Sequence, residues 1–242
     1  MRSGARRRER WTGVERELRK TVGPFIAGVD EVGRGPLAGP VVACAVVMPP
    51  DARAIPGVDD SKRLTENARD RLARKIRERA VAVGIGAASV REIDRVNIYH
   101  ATVIAMRRAL GRLCVTPNHV LIDGKSIRTL EVPHTALVGG DDSCYTIACA
   151  SIIAKVTRDR IMRALAGRYP DYRWDRNVGY CTMAHLQGLA DHGATPHHRR
   201  SFVPVAQLSL DLDAHEVVDV ATLAAMLERD AHEVEDPHFA GD

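Results

Sequence analysis

Apolar and polar positions along this chain fall into blocks whose spacing predicts an α/β fold. An apolar run from Phe25 to Val29 ends in Asp30 and Glu31, and a second run, Val41 to Met48, reads as the returning strand of a hairpin. A proline- and aspartate-rich loop follows, and Thr65 caps a predicted helix reaching Ala82, with Leu72 and Ile76 at helical spacing. Val83 to Val90 reads as a strand of small residues. A helix from Glu92 to Arg112 is expected next, its apolar stripe formed by Ile93, Val96, Tyr99, Val103, Met106 and Leu110. His119 to Ile122 predicts a short strand ending at Asp123-Gly124. Ala136 to Val138 predicts another, ending at Gly139-Gly140-Asp141-Asp142. Cys144 to Arg168 reads as a long helix whose small-residue first half permits close packing. Thr182 caps a last helix to His192, closed by Gly193. Three meandering strands, then strands alternating with helices, give a mixed central sheet flanked by helices, with a C-terminal helical segment.

At 242 residues the chain suits one well-buried domain with tails, and 27% charged residues are ordinary for a globular protein. No apolar run approaches a membrane span of about 18 residues, and no apolar stretch follows the N-terminal arginines as a secretory signal requires. Five scattered cysteines without a C-x-x-C pair argue for reduced thiols in the cytoplasm and against a zinc site. The net charge of +4 conceals a split. Ten of the 31 acidic residues and one of the 35 basic ones lie from Asp211 onward, which leaves +13 on positions 1–210. A body that basic points to a polyanion partner. The first twenty residues carry eight arginines and lysines against three glutamates, and read either as a solvated arm or as a specific contact.

Three predicted strands end in acid, at Asp30-Glu31, at Asp123 and at Asp141-Asp142, and strand ends are where ligand sites collect in α/β sheets. Carboxylates without histidine or cysteine partners suit Mg²⁺ or Mn²⁺. In a regular strand Asp30 and Glu31 point to opposite faces, so both serve one site only if the strand breaks there. Gly33, Arg34 and Gly35 follow at once, and glycines let bare backbone approach a ligand. Metal-binding acids, an arginine and open backbone in one turn suit a phosphate ester. There is no P-loop, and no Ser/His/Asp or Cys/His order stands out.

The motifs Gly28-Val29-Asp30-Glu31-Val32-Gly33-Arg34-Gly35, Asp60-Ser61-Lys62, Ile122-Asp123-Gly124, Gly140-Asp141, Ala150 to Asp159, Gly179-Tyr180 and His198-Arg199-Arg200-Ser201-Phe202 occur in this order. Together they closely resemble the prokaryotic type 2 ribonuclease H family, ribonuclease HII, over positions 24–205. The resemblance implies an RNase H-like fold, cleavage of RNA in RNA–DNA hybrids, and incision 5′ of single ribonucleotides in duplex DNA, leaving 3′-hydroxyl and 5′-phosphate ends. It implies Asp30, Glu31, Asp123 and Asp141 as catalytic, metal-holding acids, with Asp142 the competitor for the last place. It implies that Gly33, Arg34 and Gly35 read the ribose 2′-hydroxyl, that Tyr180 stacks beneath that sugar, and that Lys62 binds a backbone phosphate. Cys181 stands where the family usually has glycine or proline, which puts that loop's conformation in question.

Two alternatives accompany this expectation: a non-catalytic hybrid-binding protein on the same fold, and the sister activity ribonuclease HIII, whose N-terminal domain has no counterpart in the 23 residues before the core. Residues 1–23 are expected to form a basic arm, 24–205 the catalytic domain and 206–242 an acidic tail. Lys155 and Asp159 have the i,i+4 spacing of a structural pair. His185 and His198 are expected as hydrogen-bonding framework, and Trp11 and Trp174 as packing or surface residues. Gln207 to Leu212 resembles the hexapeptides that dock into the bacterial sliding clamp, although alternating leucines also suit a half-buried strand.

Overall fold

The computed structural model describes residues 3–207, and for 3–10 and 12 the backbone alone. In chain order the elements are α1 (Ser3–Val22), β1 (Ile26–Val32), β2 (Val41–Val47), α2 (Glu66–Arg79), β3 (Ala82–Ala88), α3 (Val90–Leu110), β4 (His119–Asp123), β5 (His134–Leu137), α4 (Gly140–Ser143), α5 (Tyr145–Ala166), α6 (Trp174–Asn177) and α7 (Met183–His192). The strands form one sheet in the order β3-β2-β1-β4-β5. β1, β2 and β3 pair antiparallel as a meander, and β4 and β5 add in parallel. This is the mixed sheet that the pattern predicts. Among the described residues no helix is long and apolar enough to cross a membrane, and all five cysteines are free thiols.

The chain divides into two compact units. One is drawn from positions up to Arg34, Pro40–Ser89 and Ile98–Asp159, the other from Gly35–Gly39, Val90–Asn97 and positions from Arg160 on. In the first, β2 is buried at every position, as a strand covered on both faces must be. Cys44, Val46 and Met48 pack with Ile76 of α2 and with Ala148, Ile152 and Ile153 of α5. Each large aliphatic side chain so buried contributes about 1.5–3 kcal/mol. The close packing of α5 on the sheet depends on a glycine of β1. A Cβ on Gly28 would lie 2.3 Å from the Thr146 carbonyl carbon, so only glycine lets the start of α5 rest on β1. In the second unit Trp174 is fully buried and stacks on Tyr172 with ring centroids 5.2 Å apart.

Three elements differ from expectation. Residues 3–22 form a helix, and its Trp11 is buried edge-on to Tyr145, 6.2 Å between ring centroids. α2 ends at Arg79, before Ala82, because β3 already begins there and pairs with β2. α3 is broken at Asn97, whose φ of 65° and ψ of 169° lie outside the helical region. The helical phase is lost at that kink, so Tyr99 is exposed, whereas Ala101, Val103, Ala105, Met106 and Ala109 form the buried stripe beyond it. Of the clamp-like segment, Leu208 to Leu212 lies outside the described residues.

Candidate active site

Parallel pairing aligns Val29 of β1 with Ile122 of β4, so the next residue on each strand is Asp30 and Asp123, side by side at the carboxyl ends. β5 runs parallel on the other side of β4, with Leu137 opposite Asp123, and the chain then turns into α4, which carries Asp141 and Asp142. The fold thus gathers the acids of three strand ends in one place. β1 does not break between Asp30 and Glu31, as the sequence suggests it should. It stays paired with β2 through Val32, and the turn starts at Gly33, yet Glu31 at the strand end still lies near enough to Asp123 to feel its charge, so the break proves unnecessary for both acids to share the site. Asp30 is 6% exposed, and Glu31 is partly buried.

Charge crowding is the chief property of this site. Burial, reinforced by the neighbouring Glu31 and Asp123, raises the Asp30 carboxyl well above the usual range, against opposing hydrogen bonds from Ser151 and the Glu31 N–H. Glu31 is raised by burial as well, with the Arg34 guanidinium pulling the other way and Asp123 adding repulsion. Its oxygen accepts from Arg34 Nη1 at 3.3 Å. Asp141 is raised by burial, then by Asp123 and Asp60. Asp123 accepts a 2.7 Å hydrogen bond from the Gly140 N–H, which ties β4 to the start of α4.

The doubled aspartates separate in this geometry. Asp141 is 8% exposed, and Lys62 Nζ stands 3.6 Å from its Oδ2. Asp142 points to Arg63, whose Nη1 donates at 2.9 Å. For Lys62, burial works to lower the ammonium pKa, but Asp141, Asp60, Asp30 and Asp123 together hold it above the usual value. Lys62 therefore faces the acid cluster while its side chain remains largely exposed. Lys155 pairs with Asp159 at 2.9 Å, as its spacing predicts.

Two supports lie inside the motifs read from the sequence, which assign these residues no role. Buried Ser61, in the Asp60-Ser61-Lys62 motif, shares a 2.9 Å hydrogen bond with buried Ser151 of α5, and Ser151 in turn bonds Asp30. Fully buried Arg158 donates from Nε to the Pro40 carbonyl at 3.0 Å. Gly33 rests on this side chain. Its φ is +90°, and a Cβ there would stand 2.1 Å from Arg158 Nε, so conformation and space both require glycine.

In the second unit, Gly35 and Tyr180 are neighbours, since a Cβ on Gly35 would lie 4.0 Å from Tyr180 Cε1. The Tyr180 ring is exposed. Its loop has a defined course with Cys181 in place. The Leu37 N–H donates to the Gly179 carbonyl at 2.9 Å, and the Tyr180 N–H to the Asn177 carbonyl at 2.9 Å.

An all-oxygen donor set with surplus negative charge has the chemistry of a hard divalent cation site. Among the described residues no three His, Cys, Asp or Glu side chains converge to hold one ion. The fit therefore rests on donor type and charge rather than on a preformed cage.

Comparison with known proteins places the chain in a family. The ribonuclease HII family profile matches residues 27–205. The ribonuclease HII of Thermosynechococcus vestitus is 59% identical over 180 residues, 74% of this chain and 83% of that one. The ribonuclease HII of Granulibacter bethesdensis is 53% identical over 197 residues, 79% of this chain and 89% of that one. Among solved structures, the ribonuclease H2 of Pyrococcus horikoshii superposes with a TM-score of 0.66 at 27% identity, covering 77% of this chain and 97% of that one.

Proposed function

The chain belongs to the ribonuclease HII family and is a type 2 ribonuclease H endonuclease, and we propose that Asp30, Glu31, Asp123 and Asp141 are the acids at which it hydrolyses its substrate. The proposed substrates are the RNA strand of RNA–DNA hybrids and single ribonucleotides in duplex DNA, cut on the 5′ side to leave 3′-hydroxyl and 5′-phosphate ends. The observation that carries this reading is the meeting of strand ends, with Asp30 and Asp123 side by side where β1 pairs with β4, Asp141 on the helix that follows β5, and Asp123 repelling Asp30, Glu31 and Asp141, whose carboxyls burial already raises. Such crowding costs stability unless a cation relieves it.

The four acids would hold Mg²⁺ or Mn²⁺, which supplies activation of the attacking water and stabilisation of the leaving oxygen in phosphodiester hydrolysis. The remaining work belongs to the protein. Gly33, Arg34 and Gly35 offer close backbone contact to the ribose, Tyr180 stacks beneath the sugar, and Lys62 binds a backbone phosphate. The 2′-hydroxyl is the feature by which a protein tells RNA from DNA at one position. Free thiols suit a reducing cytoplasm. Docking of Gln207 to Leu212 into the bacterial sliding clamp would concentrate the enzyme on newly made DNA. Loss of clamp binding in a Gln207→Ala, Leu210→Ala double variant is the expected result, and binding unaffected by that change would refute it.

The test of the catalytic reading is duplex DNA carrying one ribonucleotide, set beside an all-DNA duplex, with Mg²⁺ or Mn²⁺. Incision 5′ of the ribonucleotide alone is expected. An intact ribonucleotide duplex, or equal cutting of both, would overturn it.

A further inference from the structure

The second unit contains a buried chain of aromatic and imidazole groups that ends on the backbone of Tyr180. Trp174 Nε1 stands 3.0 Å from His185 Nε2, and His198 Nε2 stands 3.0 Å from the same nitrogen. At the far end, His198 Nδ1 faces the Thr195 N–H at 2.9 Å and the Thr195 hydroxyl at 3.0 Å. At the near end, His185 Nδ1 lies 2.9 Å from the Tyr180 carbonyl oxygen. Trp174, His185 and His198 are each at most 1% exposed.

The donors and acceptors of this chain admit one consistent assignment. A backbone N–H can only donate, so His198 Nδ1 carries a lone pair and the ring proton sits on Nε2. That Nε2–H then donates to His185 Nε2. The indole N–H of Trp174 can also only donate, and it donates to the same nitrogen. His185 Nε2 is therefore a lone pair accepting two hydrogen bonds, and its ring proton is on Nδ1, donated to the Tyr180 carbonyl. An added proton on either ring would meet a donor in place of an acceptor. Burial lowers the pKa of both rings, and the mutual proximity of the imidazoles helps to take His198 down to about 3.

The segment so gripped is strained. Val178, a β-branched residue two positions before Tyr180, has a φ of 44°, a conformation costing about 1–3 kcal/mol that persists only where surroundings impose it. Asn177 supplies part of that restraint, accepting from the Gly179 N–H at 2.9 Å and donating to the Tyr172 carbonyl at 2.8 Å. Tyr180 is thus fixed at its own N–H and carbonyl while its ring stays exposed.

We propose that His185 is a positioning residue for Tyr180, locked in its Nδ1–H tautomer by Trp174 and His198, and that this chain sets the discrimination of the enzyme for single ribonucleotides. The proposal rests on the reading of Tyr180 as the residue that stacks on the ribose. A lone ribose gives the ring one chance to register, whereas a long hybrid offers overlapping sites, so a loosened ring should cost more on the former.

The experiment compares kcat/KM on the single-ribonucleotide duplex and on a long hybrid for the wild type, His185→Phe, His185→Asn, Tyr180→Ala and the His185→Phe, Tyr180→Ala double variant. Losing one hydrogen bond of about 1.4 kcal/mol corresponds to a tenfold change, so His185→Phe should lower the ratio of single-site to hybrid activity by up to about tenfold. His185→Asn, which can present an N–H near the place of Nδ1, should restore it. In the Tyr180→Ala background His185→Phe should cost nothing further. Equal loss on both substrates, or full additivity with Tyr180→Ala, would overturn the proposal. If Tyr180→Ala leaves the ratio unchanged, the stacking assignment itself fails, an outcome distinguishable from failure of the histidine chain. Nitrogen NMR on ¹⁵N-histidine-labelled wild-type protein gives an answer that requires no variant to fold. His185 should be protonated on Nδ1 and His198 on Nε2, and the opposite tautomer of His185 would refute the assignment.

Discussion

Lys62 Nζ stands 3.6 Å from Asp141 Oδ2, whereas the neighbouring Asp142 is taken by Arg63 at 2.9 Å. Two adjacent aspartates of identical chemistry thus have different surroundings. One faces the crowded acids at the strand ends, and the other is neutralised by an exposed arginine. Asp141→Asn is expected to lower the rate of hybrid cleavage by about a hundredfold or more, the scale of losing one preorganised electrostatic group at a reacting centre. Asp142→Asn should stay within a few-fold of wild type. Steady-state rates of the two variants on one hybrid decide it, and the reverse order would assign the fourth acid to Asp142.

The crowding of Asp30 has a consequence for stability with a definite sign. Its folded-state pKa is raised, so in the window between the unfolded carboxylate value of about 4 and the raised one the folded protein binds more protons than the unfolded chain. Its contribution to stability therefore falls as pH rises through that window. In metal-free protein, Asp30→Asn should raise Tm at pH 7 and lose that advantage as pH falls toward 4. A gain of 1 kcal/mol corresponds to about 2–4 °C for a chain of this size. Thermal unfolding of both proteins from pH 4 to 8 with a chelator present measures the difference, and a variant less stable than wild type at pH 7 would contradict the crowding.

Glu15 of α1 carries a third prediction. Its buried carboxylate accepts from the Thr146 N–H at 2.8 Å, the Thr146 hydroxyl at 3.1 Å and the Cys144 thiol at 3.2 Å, and pairs with Arg19 at 3.3 Å. A side chain from the N-terminal helix thereby satisfies an N–H in the first turn of α5, which is otherwise an orphan donor. Glu15→Ala leaves those donors buried and unpaired at a cost of about 2–3 kcal/mol, or roughly 5–10 °C of Tm. Calorimetry tests this, and an unchanged Tm would show α1 to be dispensable for the fold.

The strands and the acids were legible because their signals are local. Apolar runs lead into carboxylates at the ends of β1 and β4 and just beyond β5, and the parallel pairing of β4 with both neighbours aligns those ends without further information. What the sequence hides is contact between distant segments. Residues 1–23 read as a basic arm because Glu15 looks like one more surface acid until Thr146 is placed against it. Arg158 sits on a helix among other charged residues, where arginine normally means solvent. Only the packed structure shows it fully buried beneath Gly33. The kink at Asn97 escaped because an amphipathic period on each side gives no warning that the phase changes between them.

The most direct test of the acid cluster as the cleavage site is the rate at which Asp123→Asn cuts an RNA–DNA hybrid, at enzyme concentrations that saturate the hybrid for both variant and wild type. Asp123 sits between the others, adding repulsion to Asp30, Glu31 and Asp141 alike. Binding should survive, because affinity for a polyanion comes chiefly from basic residues neutralising phosphates. The expected result is a bound hybrid cleaved at least about a hundredfold more slowly, and a rate close to that of the wild type would contradict the assignment.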